Sequence, residues 1–300
     1  TLFRSSIVKD LKYQYKTGNI ALKIIFWNVF LYVIPEVVFA VLKLFAINIP
    51  YLSYISLSSS WQHLASMPWT IVTYAFFHNG AMHLLFNMLM LHFVSNWFVS
   101  FFTQKQLFAV YVLGSIFSGF IYILGYQYLP ALLGVGTTYL VGASAGIMAL
   151  LFAVTTYQPY LEIKSIFGTV RLWHIAFVFI FLDLVQATVS NTGGHLSHIG
   201  GALFGFIFAK SLINGTDITS FFNKAIDKIA TLFKKDNAVP FKKVHVNYHK
   251  KAAPKSAPKS KIIIKNKEQQ QIDEILEKIS KSGYDSLTKE EKEFLFKAGK

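Results

Sequence analysis

Six apolar stretches, at about residues 22–47, 80–102, 106–126, 142–158, 171–190 and 196–214, dominate the chain. A helix needs about 20 such residues to cross a bilayer. In hydrocarbon the backbone must satisfy its own N–H and C=O groups, so segments of this kind cross as helices. Composition agrees: 53% of residues are hydrophobic and 15% charged, with a mean hydropathy of +0.43, whereas soluble domains carry about 25% charged residues. The expected fold class is all-α, a polytopic membrane protein built as a six-helix bundle. The fourth stretch is the shortest, which fits a helix that starts below the surface in a protein-lined cavity.

The cations fix a topology. Lys and Arg accumulate in cytoplasmic loops. The N-terminal segment has Arg4, Lys9, Lys12, Lys16 and Lys23, the second loop Lys105, the fourth Lys164 and Arg171, and residues 210–300 hold twenty more. The first, third and fifth loops (49–79, 127–141, 191–195) have none. Six spans with both termini inside satisfy this alternation. Lys43, near the outer end of the first span, is the exception and can snorkel outward. The first loop carries Tyr51, Tyr54, Trp61, Trp69 and Tyr74, residue types that favour the headgroup zone, and it is expected to lie in the outer interface. No cleavable leader is legible after Thr1, so the first span is expected to act as the membrane signal unless a short start precedes it.

Five regions follow: a basic N-terminus (1–21), the membrane domain (22–214), an amphipathic interfacial helix (215–235), a polybasic flexible linker (236–267) and a small C-terminal helical hairpin (268–300). The interfacial helix is read from Ile218, Phe221, Phe222, Ile226, Ile229 and Phe233 at near-helical spacing, with Lys224 and Lys228 between them. Residues 234–267 hold eleven lysines and one acid, with Pro240, Pro254 and Pro258; they suit anionic lipid better than nucleic acid, since no folded nucleic-acid module accompanies them. In the hairpin, Ile272, Ile275, Leu276 and Ile279 form one stripe, Gly283 ends a helix, and Thr288 with Glu291 forms a capping box for the next. So small a hairpin is expected to dock on something.

Three polar clusters interrupt the apolar core: His78 to Asn87 entering span two, Gly142-Ala143-Ser144-Ala145-Gly146 entering span four, and His195 to Gly205 entering span six. All three spans run from outside to inside, so the clusters share one outer depth, where polar residues are costly and usually functional. Ser144 is either helix-packing glue or a nucleophile. Gly142/Gly146 and Gly201/Gly205 are each four apart, a spacing that lets membrane helices approach closely; such an approach of spans four and six would also bring Ser144 to His198. His198 is favoured as general base over His195, which lies nearer the loop and lacks the glycine face. His83 and Asn87 share a face of span two and are either helix cross-links or donors to an oxyanion, with the Ser144 N–H at a helix N-terminus as a further donor. His78 reads as structural, and His92 as a packing group. Asp183, counted as nearer the inner half of span five, reads as a buried, protonatable packing group and a poor third partner.

Together the clusters resemble the rhomboid family of intramembrane serine proteases over residues 65–210. The matching runs are His78, His83 and Asn87; Gly142 and Ser144; and His198, Gly201 and Gly205. The resemblance implies a Ser144–His198 dyad without a carboxylate, an oxyanion site of His83, Asn87 and the Ser144 backbone, and packing of span six on span four through Gly201 and Gly205. Three positions depart from common family residues: Ala145 where Gly often follows the serine, Met148 where a Tyr often stacks on the histidine, and Thr70 where Arg often follows Trp69.

The expected activity is endopeptidase cleavage in or near the transmembrane segment of single-pass membrane proteins. The alternatives are an inactive rhomboid-like protein that binds client helices, or a transporter, which the lack of an inverted repeat disfavours. No cofactor and no metal is expected: a His-Glu-x-x-His run is missing, and the absence of cysteine removes disulfides, thiol catalysis and Cys-ligated metal. Expected partners are membrane-protein substrates and the lipid bilayer, with anionic lipid at the tail. The expected location is a bacterial inner membrane, with the site opening to the outer face.

Overall fold

A computed structural model of the chain describes residues 7–165, 168–233 and 261–298. It divides into two units, Thr1–Lys235 and Asp236–Lys300. Six helices build the core of the first: α1 (Ile20–Leu44), α2 (Ala81–Val99), α3 (Gln104–Tyr128), α4 (Ser144–Tyr157), α5 (Leu172–Gln186) and α6 (Thr192–Ile213). α1, α2, α3 and α6 are long and apolar enough to cross a membrane; α4 and α5 are apolar but shorter.

Local chemistry sets the helix starts. Asn19 Oδ1 accepts the Leu22 N–H at the head of α1. Thr103 and Gln106 form a reciprocal capping box for α3, which satisfies two otherwise orphaned N–H groups. Asn191, in a left-handed conformation, starts α6 at Thr192, four residues earlier than the apolar run suggests. Conversely, α5 ends at Gln186 rather than near 190.

α4 is the hub. It is buried from Ala145 to Leu151 and again at Ala153 and Val154, and it packs on α2, α3, α5 and most extensively on α6. A helix that is apolar all round belongs inside a bundle. α1 packs on α2 and α3 at one side, and α5 leans on α4 and α6 at the other. Large apolar residues such as Phe30, Val37, Leu85, Phe93, Phe177 and Phe181 face outward, a surface that lipid rather than water satisfies. His92 is exposed there too and meets Asn96 at 3.4 Å, so it is not the interhelical packing group expected from its depth in span two.

The loop between α1 and α2 is folded onto the bundle. Its strand β1 (Leu57–Ser58) pairs antiparallel with β2 (Tyr139–Leu140) ahead of α4. Trp69 Nε1 donates to the Tyr54 carbonyl at 2.8 Å. Tyr74 is fully buried and donates its hydroxyl to the Ser115 carbonyl at 2.6 Å. This residue is therefore a core anchor of the loop against α3 and not one of its interfacial aromatics. Glu36, an acid within α1, accepts the Tyr51 hydroxyl at 2.7 Å. A second pair, β3 (Glu162–Ser165) and β4 (Gly168–Arg171), links α4 to α5.

After α6, helix α7 (Ser220–Phe233) returns against α3. Lys105 Nζ meets Asp227 at 2.7 Å, Gln106 Nε2 donates to Asp217, and the Phe222 ring packs near Phe108. Residues 234–260 of the expected polybasic linker lie outside the described residues. In the second unit, α8 (Lys261–Ser282) begins seven residues before the expected hairpin. Gly283, at φ 78°, ends it. Thr288 and Glu291 exchange hydrogen bonds at the start of α9 (Lys289–Ala298). Ile275 and Leu287 are buried within this unit, whereas Leu276 is exposed and off the apolar stripe.

Candidate active site

Ser144 is the first residue of α4. Gly142 precedes it at φ 130°, a backbone conformation that L side chains rarely adopt. Its N–H donates to the Tyr74 carbonyl at 2.9 Å, and the Ala143 N–H points at His78 Nε2 at 3.4 Å. These contacts tie the entrance of α4 to the segment before α2. They leave the N–H groups of Ser144 and its next neighbours unused by the helix itself, at its electropositive end.

His198 lies two turns into α6, and its Nε2 is 2.7 Å from Ser144 Oγ. His195 does not reach the serine; its Nδ1 is 2.7 Å from Asp183 Oδ1. The close approach of α4 and α6 rests on Gly201 and Gly205. A Cβ on Gly201 would stand 2.1 Å from the Ala145 carbonyl oxygen, and one on Gly205 would stand 2.1 Å from that of Ala149. The partner surface on α4 is therefore Ala145 and Ala149, not Gly142 and Gly146 as the four-residue spacing suggested. Gly142 lies outside the helix, where its missing side chain makes room for the His83 imidazole, 2.8 Å from an added Cβ. Gly146, one position round from Ala145, faces Tyr111 and Ser115 of α3.

His83, Asn87, Ser144 and His198 line one cavity of about 470 Å³, roofed in part by Tyr139 and Leu140. Asn87 spends one side-chain N–H on the His83 carbonyl at 2.9 Å, leaving the other available. His78 is buried with its ring edge-on to His83 at 5.1 Å. A smaller cavity of about 120 Å³ adjoins Ser144 between Phe86 and Met90 of α2 and Phe179 of α5, with Met148 beneath. Its lining is mostly apolar.

The residue that sequence reasoning missed is Asp183. Its Oδ1 lies 2.8 Å from His198 Nδ1 as well as 2.7 Å from His195 Nδ1. The expected packing role and inner depth are both corrected. α5 runs opposite to α4 and α6 and stops at Gln186, so its last turn holds Asp183 at the level where α4 and α6 begin. The signal was present in the alternating topology, which puts the C-terminal end of one span level with the N-terminal ends of its oppositely running neighbours. The dyad implied by resemblance thus has a carboxylate on its far side. Asp183, His195 and His198 also offer ligand atoms within 4.8 Å of one another, a spacing a divalent ion could use, and they supply the carboxylate that the sequence placed near neither histidine.

A six-helix membrane bundle with a serine and a histidine paired at the heads of two packed helices defines the class. Residues 65–215 match the rhomboid domain family, half of the chain, and the chain belongs to the rhomboid family. Residues 263–297 match a separate family of unknown function, DUF6576. No curated protein matches the chain.

Proposed function

We propose that the protein is an intramembrane serine endopeptidase that cuts single-pass membrane proteins in or beside their transmembrane segments. The observation that carries this reading is the 2.7 Å contact between Ser144 Oγ and His198 Nε2 inside a polar cavity, within reach for direct proton transfer. Such a contact serves helix packing poorly, since the glycines already supply close approach.

In this mechanism His198 Nε2 accepts the Ser144 proton as Oγ attacks the scissile carbonyl. The oxyanion forms against the Ser144 N–H, with His83 and the free N–H of Asn87 as side-chain donors. His198 then gives its proton to the leaving amine, and the acyl-enzyme on Ser144 is hydrolysed by water activated by the same histidine. At 14 residues and 1.5 Å per residue, α4 spans about 21 Å of a hydrocarbon layer about 30 Å thick. A site at its head therefore lies below the surface, and water reaches it through the larger cavity. The smaller, mostly apolar cavity beside Ser144 suits an uncharged side chain next to the cut, and α2 with α5 flanks the entry path for a substrate helix that has unwound locally.

The cation alternation orients both termini to the cytoplasm and the cavity to the outer face of a bacterial inner membrane, with the basic tail against anionic lipid. The test is cleavage of a helix-weak single-pass substrate in defined lipid by wild type and by Ser144→Ala. Cleavage by wild type alone is expected; cleavage that persists in the variant, or that wild type never performs, refutes the proposal.

A further inference from the structure

We propose that Asp183 is a positioning residue for His198, resting on the protease reading above: its Oδ1 holds the Nδ1–H of the imidazole, so that Nε2 faces Ser144 as a bare lone pair. The two nitrogens of His198 are both occupied, one by the serine at 2.7 Å and one by the carboxylate at 2.8 Å. The fold makes this junction from three helices. His195 and His198 are three apart on one face of α6, and Asp183 projects at them from the last turn of α5.

Proton bookkeeping follows from the convergence of two ring nitrogens on one oxygen. That oxygen can hold at most one proton, so at least one histidine must donate to it. An ionised carboxylate only accepts, and both Nδ1 atoms then carry protons. For His198 this selects the tautomer with unprotonated Nε2, the form a general base needs. When Nε2 takes the serine proton, the resulting imidazolium stands beside a fixed negative charge in a site of low dielectric, where the attraction is stronger than in water. The proton passes from Ser144 Oγ to Nε2 and on to the leaving amine; Asp183 keeps its charge throughout. Met148, the buried residue one turn into α4, has a thioether, a weak acceptor that cannot fix the ring as a carboxylate does.

A purely structural role fits less well. The Asp183 side chain is only 8% exposed, yet its Oδ2 has no hydrogen-bond partner among the described residues. Buried polar atoms are nearly always paired, and a carboxylate kept only to join two helices would be expected to use both oxygens. His195, the second donor, steadies the carboxylate.

The experiment compares Asp183→Asn and His195→Ala with wild type in proteoliposomes, with melting temperature and kinetics on one substrate. An amide can turn either its carbonyl or its NH₂ toward Nδ1, so the tautomer is no longer dictated. Asp183→Asn is expected to lower kcat by about 10²-fold or more, as loss of a tautomer-fixing carboxylate does elsewhere, with KM within about twofold; His195→Ala should lose about fivefold or less. Asp183→Asn activity within about fivefold of wild type, or equal losses in both variants that track melting temperature, would overturn the proposal. A second readout does not depend on turnover. In ¹⁵N-histidine-labelled wild type, the His198 ring should show protonated Nδ1 and unprotonated Nε2, and Asp183→Asn should show both tautomers. A wild-type ring protonated at Nε2 would overturn the assignment even where cleavage is normal. If wild type lacks Ser144-dependent cleavage, the protease reading fails while this measurement still decides the role of Asp183.

Discussion

Replacing Gly201 by Ala should disable the site through a displacement that can be worked out from the structure. The added Cβ would lie 2.1 Å from the Ala145 carbonyl oxygen, where real Cβ contacts essentially never fall below 3.0 Å. The obstructing atom is helix backbone, so no side chain can swing aside, and α6 must retreat from α4 by about 1 Å. Gly201 is three residues beyond His198 on the same face, and Ala145 directly follows Ser144, so most of the retreat falls on the Ser144–His198 contact. A hydrogen bond of 2.7 Å would lengthen to about 3.5 Å, outside useful geometry. Misplacement of this size costs about 10²-fold in rate, or about 3 kcal/mol of barrier, and overpacking costs a further 1–3 kcal/mol or so of stability. Gly205→Ala offers the internal control. Its clash with the Ala149 carbonyl is equally close, but it lies one turn, about 6 Å, farther along the helix. α6 can pivot about that point, so a similar loss of stability should come with a loss of kcat nearer tenfold, by our estimate about half the barrier change. Cleavage in proteoliposomes, labelling by a serine-directed fluorophosphonate and thermal unfolding are measured for both. A folded Gly201→Ala enzyme with the wild-type rate, or two variants whose activities fall together in step with stability, would refute the argument that this helix contact sets the serine–histidine distance.

Two further outcomes are expected. On the proposed mechanism Asn87→Ala should lower kcat by about 10²-fold with little change in KM, since an oxyanion donor acts only as charge develops in the transition state; an effect confined to KM would make Asn87 a substrate-binding group instead. In the C-terminal unit, the hydrogen bond from Lys278 holds the Glu291 carboxyl below its ordinary range, aided by the Thr288 backbone N–H. The resulting stabilisation is fully present above the unfolded value of about 4.3, is lost as pH falls through the lower folded value, and is reduced in Lys278→Ala to the share that Thr288 supplies. The chain has no native cysteine, so one spin label introduced on each of α8 and α9 reports their separation against pH, and a separation that opens at the same pH in Lys278→Ala would show that this pair does not hold the hairpin.

The bundle was legible because lipid imposes two strong signals, apolar length and cation placement, which do not depend on tertiary detail. The same signals put Ser144, His198, His83 and Asn87 at one depth, and the structure lines one cavity with all four. What the sequence hid depends on rotation and on helix ends. The glycine pair of α4 looked like the partner of the pair on α6, but Gly142 lies in the loop and Gly146 points at α3. A spacing of four says that two residues share a face, not which neighbour that face meets. Tyr74 looked interfacial because its residue type favours that zone, whereas a single acceptor, the Ser115 carbonyl, lets its hydroxyl be buried.

Asp183 was obscured by an end effect. Its depth depends on where α5 stops, and an apolar run continues through Val189 after the helix itself has finished at Gln186. Depth in a membrane helix should be counted from the loops whose level is already fixed, not from the limits of hydropathy. Counted back from the fifth loop, Asp183 falls at the level where α6 begins, and on α6 it meets His195 and His198. An acid inside a membrane helix needs a partner, so the requirement that it find one is itself structural information. In this chain that requirement, applied with the direction of each span, leads from an apparently inert carboxylate to the far side of the His198 imidazole.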